Sequence, residues 1–208
     1  SPLLTIRVHS DLTESASFLL DDLWRSLSMV TTDGGFFPAM INDNRMYVIP
    51  NDHGSQDEQL ELILRLGLSI ASFVAPLENL QKFSVHMGIS YGNYIYGLVS
   101  QCSRGLDVMG DPRWEAESCD RYAPSNAICL PASLVEGLSM EAFDSCDTIP
   151  VTEGPAYVNV ALRNVEAFSS HHGLRAELLE RQAFLRKELG NLIKASSHRK
   201  VYVVSDIL

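Results

Sequence analysis

Residues Val85 to Asp111 read VHMGISYGNYIYGLVSQCSRGLDVMGD. Phe83 to Ser90 and Tyr94 to Ser100 are apolar, partly alternating runs, which predicts two strands. Tyr91-Gly92-Asn93 between them predicts a hairpin turn. The stretch closes on Asp107-Val108-Met109-Gly110-Asp111, with a carboxylate on each side of an apolar pair. Asp111-Pro112 predicts a helix start, with Asp111 as N-cap and Pro112 at a position whose N–H would have no partner.

Upstream, Leu3 to His9 alternates and predicts a strand. Leu19, Leu23, Trp24, Leu27 and Val30 recur at helical spacing, with Thr13 or Ser15 as cap and Asp33-Gly34-Gly35 as stop. Phe36 to Ile41 and Arg45 to Ile49 predict a hairpin over Asn42-Asp43-Asn44. Pro50 to Ser55 reads as a loop, and Asp57 to Val74 as a well-buried helix. Downstream, a helix is expected to about Tyr122, stopped near Pro124. A strand at Ala127 to Leu130 and a short helix at Ala132 to Leu138 follow. Val158 to Val165 and Lys200 to Val204 are strand-like. Leu174 to Lys194 between them carries a leucine stripe and a Glu177–Arg181 pair at i,i+4. This order predicts an α+β sandwich of the ferredoxin-like kind, with a central antiparallel or mixed sheet and helices on one face. One domain is expected over 1–208, with a core at about 4–138 and C-terminal strands and helix at about 147–208. The Leu174 helix is expected to cover a sheet edge or an interface.

Of the 208 residues 46% are hydrophobic, enough for an ordinary core. The net charge of −10 argues against nucleic acid, whose affinity rests on clustered Lys and Arg. It also argues against a polybasic membrane surface. No apolar run is read as reaching the roughly 20 residues that span a bilayer. Ser1-Pro2-Leu3-Leu4 does not resemble a signal peptide, and the start reads as a cut inside a longer protein. Cys102, Cys119, Cys129 and Cys146 form no CxxC pair and read as free thiols of a reducing compartment. His171-His172-Gly173 reads as a polar loop rather than a metal site.

Five segments together resemble the catalytic domain of class III adenylate/guanylate cyclases. They are Ile41 to Val48, Val85 to Gly92, Gly97-Leu98-Val99, Leu106 to Asp111 and Ile128 to Ser133. The resemblance covers about Leu4 to Leu138 and implies a ferredoxin-like βαββαβ core. The Leu174 helix then stands as an extra helix before the last strand. In that family two Asp residues hold two divalent cations that activate the ribose hydroxyl and neutralise the triphosphate. A Lys and an Asp read the base, and an Asn and an Arg orient the ribose and stabilise charge. The site lies between two domains, which implies a cyclase-like partner.

Carried over residue by residue, the hairpin Asp is Asp43 and the base-reading Asp is Asp107. The strand-one Asp falls on Ser10, with Asp11 one register away. The base-reading Lys falls on Ala39, the Asn on Trp114 and the Arg on Ser118. Loss of such a charge-stabilising donor costs about 10²–10³ in rate. Asp43 reads either as a vestigial metal ligand or as a turn residue, and Asp107 either as a nucleotide contact or as a strand-end residue that is solvated or caps a turn. Trp114 either fills an emptied pocket, stacks on a partner or packs. Arg7 and His9 stand where the family is apolar or small. The resemblance therefore implies a degenerate cyclase-like domain, a cytosolic regulatory, dimerisation or scaffold module of a larger signalling protein. Its alternatives are one half of a heterodimeric cyclase and an effector module that binds nucleotide without turnover. No cofactor is required, and Mg²⁺ or Mn²⁺ enters only if cyclase activity survives.

Overall fold

The structure is a computed structural model that describes residues 1–11, 17–42, 44–51, 54–78, 80, 82–97, 107–136, 138, 146–152, 154–165, 168 and 176–196. Strand β1 (Pro2–Ser10) is followed by helix α1 (Ser17–Asp33), hairpin β2 (Phe36–Asn42) and β3 (Arg45–Pro50), helix α2 (Gln56–Glu78) and β4 (Phe83–Tyr91). Then come β5 (Ile95–Gly97), β6 (Asp107–Met109), α3 (Asp111–Tyr122), β7 (Ala127–Pro131) and the single turn α4 (Ala132–Val135). The chain continues through β8 (Cys146–Pro150), β9 (Tyr157–Leu162) and α5 (Ala176–Ser196).

The sheet order β2-β3-β1-β4 is the ferredoxin-like βαββαβ arrangement, and β7, β9 and β8 extend it to seven strands. β1 is central, buried along most of its length and paired antiparallel with β3 and β4. β7 joins β4 in parallel, with Met87 opposite Ile128. β2 carries Pro38 and so belongs at an edge, where a missing N–H costs no ladder bond.

Alternation along β1 sends Leu4, Ile6 and Val8 to one face, where Leu19, Leu23 and Leu27 of α1 and Ile63, Leu64 and Phe73 of α2 close the core. α2 opens on a capping box, in which the Ser55 N–H donates to Glu58 and Ser55 Oγ accepts from the Glu58 N–H. It runs past Pro76, beyond the expected end at Val74. By length and composition it could cross a membrane, contrary to the expectation of no such run, but 67% of its apolar window is buried in the core.

The opposite face of the sheet carries α3, so the helices are not confined to one side as expected. Thr5 Oγ1 donates to the Ala116 carbonyl at 3.1 Å and Ser90 Oγ to the Pro112 carbonyl at 2.5 Å. This contact requires Gly88, because a Cβ there would stand 2.0 Å from the Ala116 oxygen.

Three further expectations are corrected. Tyr91-Gly92-Asn93 does not join a hairpin, because β1 and β7 take both edges of β4. β5 pairs instead with β6 in a separate two-stranded ribbon, Ile95 opposite Met109. Asp111 is not the N-cap of α3. Gly110 is, at φ 138°, a left-handed conformation that glycine tolerates, and no side chain caps the helix. Finally, α5 does not cover a sheet edge. It packs on α1 and α2, burying Leu178, Leu185 and Leu189, and Arg181 reaches Asp22 of α1 at 2.5 Å rather than serving Glu177. Strand β8 was not foreseen. The caps Thr13 and Ser15, Asp43, Cys102, His171, His172, Leu174 and the strand-like Lys200 to Val204 lie outside the described residues.

Candidate functional site

The face under α3 is built from charge. Alternation along β1 turns Arg7 toward α3, and alternation along β3 turns Arg45 and Tyr47 the same way. From α3, Arg113, Glu117 and Asp120 recur at helical spacing on the stripe that meets the sheet. Asp120 is fully buried and accepts from Arg7 Nε at 3.1 Å and from Arg45 Nε at 2.8 Å. Arg45 Nη1 lies 3.8 Å from Glu117 Oε2. Glu117 Oε1 accepts from Tyr47 Oη at 2.6 Å and from Arg113 Nε at 2.9 Å. Arg113 Nη1 donates to Asp107 Oδ1 at 3.1 Å, and its guanidinium lies 4.8 Å from the Tyr47 ring centre. The order Arg7, Asp120, Arg45, Glu117, Arg113, Asp107 alternates sign, with three cations against three anions.

Burial disfavours the charged form of Glu117, but hydrogen bonds from Tyr47 and Arg113 and the nearby arginines prevail and hold its pKa below the ordinary carboxylate value. Burial, then the hydrogen bond to Glu117, pushes Tyr47 up to about 12, so its O–H remains a donor. Arg45 loses to burial but gains more from Asp120, and its pKa rises. Further along α3, Cys119 packs against Cys129 of β7, and both are buried free thiols. Hydrogen bonding to Cys129 and burial push the Cys119 thiol up, which makes it inert.

The structure brings together only part of the expected set. Ala39 is 4% exposed and packs with Leu3, Tyr47 and Val108, beside Asp107. Asp107 is not a solvated strand end, because Arg113 and the Val108 N–H both donate to it. Trp114 lies on the outer side of α3, 66% exposed, its ring 5.9 Å from the Arg113 guanidinium. Ser118, one turn on, is half-buried. Ser10 ends β1 opposite Phe83, at the far end from Leu3 and hence from the Ala39 cluster. His9 Nε2 lies 3.3 Å from Asp11 Oδ1, both well exposed. Among the described residues no three His, Cys, Asp or Glu side chains are grouped to hold a metal ion.

The ion network was not read from the sequence, although signals for it existed. Arg7 had been singled out, Arg45 stands inside a strand, and Arg113 and Glu117 are spaced i,i+4 ahead of Asp120. Their convergence depends on the register of β1 against β3, which no local pattern shows.

The architecture is that of a nucleotidyl cyclase catalytic domain. It is similar to the guanylate cyclase domain of RhGC from Catenaria anguillulae in complex with GTP, at a TM-score of 0.62 and 11% identity, over 78% of this chain and 96% of that one. It is similar to the adenylyl cyclase CyaB from P. aeruginosa, at a TM-score of 0.63 and 12% identity, over 78% and 93%. The guanylyl cyclase Cya2 gives 0.54 at 15% identity, over 77% and 90%. No protein-family profile and no curated protein matches the sequence. The chain thus has the fold of class III adenylyl and guanylyl cyclase catalytic domains, with a sequence far from theirs.

Proposed function

We propose that this chain is a cyclase-like domain without nucleotide turnover, a cytosolic regulatory or dimerising module that pairs with another cyclase-like domain inside a larger signalling protein. The observation that carries this reading is the closed ion chain. A nucleoside triphosphate brings several negative charges and needs unpaired cations or metal ions to meet them. Here Arg7, Arg45 and Arg113 are each committed to carboxylates, and Asp107, the one base-reading residue retained, is held by Arg113.

The donor set also fits a two-metal site poorly. Ser10 offers a hydroxyl where the resemblance calls for a carboxylate, and a lone Asp43 rarely holds two hard cations. Loss of chemistry with retention of a scaffold is expected when function resides in the site. The pairing is supported by an apolar surface along the ribbon and α3. Ile95 and Met109, cross-strand partners, are 72% and 46% exposed, and Trp114 adds another exposed ring.

The test is a cyclic-nucleotide assay on the purified chain with ATP and with GTP in Mg²⁺ or Mn²⁺. No cyclic product is expected. Product formed by this chain alone, and lost on Asp107→Asn, would end the reading.

A further inference from the structure

We propose that the groove between α1 and α5 binds a basic amphipathic helix of a protein partner. This site lies on the helical layer, on the other side of the sheet from the ion chain, and does not depend on the reading of that face.

Two contiguous cavities of about 570 Å³ and 460 Å³ run between these helices, sharing Met29 and Arg181 as common wall. Trp24 and Met29 form an apolar floor, and Phe184 of α5 stands at the rim, 45% exposed. The groove is open along its length. A small molecule would be mostly exposed there, whereas a helix can lay one face into it. Its charge selects the partner. Among the described residues, the carboxylates of Asp21, Asp22, Glu177 and Glu180 line it against the guanidinium groups of Arg25 and Arg181.

One carboxylate is left half-satisfied. Arg181 Nη1 meets Asp22 Oδ1 at 2.5 Å, while Asp22 Oδ2 is shielded from solvent and has no partner. A buried acceptor without a donor is costly, and a carboxylate can take a guanidinium at both oxygens. An arginine entering beside Arg181 supplies the missing donor. By the resemblance read from the sequence, α5 is an addition to the family's pattern.

The probe is a fluorescein-labelled amphipathic peptide of leucine and arginine, about 18 residues long so that it can be helical. Its leucine–glutamate counterpart is the control. Fluorescence anisotropy with the 208-residue chain is expected to show saturable binding of the arginine peptide only. Glu177→Lys combined with Glu180→Lys, and separately Phe184→Ala, should each weaken it at least tenfold. Asp57→Lys combined with Glu136→Lys, the same charge change outside the groove, should leave it within twofold. Circular dichroism checks that every variant is folded. The proposal is overturned by absence of saturable binding, by an unaffected Phe184→Ala, or by a control pair that weakens binding as much as the groove pair. The last result would mean general attraction to a chain of net charge −10.

Discussion

The two faces of one sheet are built on opposite principles. Under α1 and α2 the sheet offers Leu4, Ile6, Val8, Val85 and Met87, and the helices answer with leucine, isoleucine and phenylalanine. Under α3 the same strands offer Thr5, Arg7, Arg45 and Tyr47, and the helix answers with Arg113, Glu117 and Asp120. The apolar face is stabilised by area removed from water, which tolerates shape changes gradually. The ionic face is held by a chain in which Asp120, Arg45, Glu117 and Arg113 each meet two opposite charges and Arg7 and Asp107 close the ends, so removal of an inner member strands its neighbours. The first face holds the fold, and the second carries Asp107, the position to which the resemblance assigns base reading.

The sharpest way to break this comparison is Asp120→Ala. It leaves Arg7 and Arg45 without the carboxylate they share, and a loss of about 3–5 kcal/mol in urea unfolding is expected. A loss below about 1 kcal/mol would show that water already serves these arginines. On the apolar face, Leu64→Ala should cost about 3 kcal/mol, equally at every pH. Gly88→Ala probes the seam between α3 and β4. Its Cβ clash with the Ala116 carbonyl forces α3 outward, at about 1–3 kcal/mol by the same measurement.

The smallest effect is the most diagnostic, because Glu117 and Tyr47 of the ionic face titrate and the leucines of the apolar face do not. The folded pKa of Glu117 lies below its ordinary 4.5. Its contribution is therefore full above that value and lost as pH falls through the folded pKa. Tyr47 is raised from 10.0 to about 12, so its contribution is full below pH 10 and lost as pH rises toward 12. Thermal melts across pH should show both limbs. Glu117→Gln should flatten the acid limb, and Tyr47→Phe should reduce the alkaline one. Tyr157, also raised to about 12, and Tyr94, raised by burial, sustain the rest of the alkaline limb.

The comparison also explains what the sequence made legible. Helical spacing of Leu19, Leu23 and Leu27 and alternation along Leu3 to His9 report burial, and burial on the apolar face is a local pattern. The ferredoxin-like order followed from it. The ribbon of β5 and β6 was misread because Tyr94 to Ser100 is strand-like wherever it pairs, and its partner is decided by β1 and β7 occupying β4. The N-cap of α3 falls on Gly110 rather than Asp111, because glycine tolerates the φ of 138° at that position. On the ionic face Asp107, Ala39, Trp114 and Ser118 were found through resemblance alone. Arg45, Glu117 and Asp120 were not found, since a charge on a strand shows its partner only when the register of another strand is known.

The central claim is that the charges under α3 are spent on one another and leave nothing to meet a nucleotide. Isothermal titration calorimetry of the chain with ATP and with GTP, in Mg²⁺ or Mn²⁺, tests it most directly. The account predicts no saturable heat up to millimolar nucleotide. A saturable isotherm that disappears in Asp107→Asn would contradict it, since Asp107 would then be free to leave Arg113 and read a base.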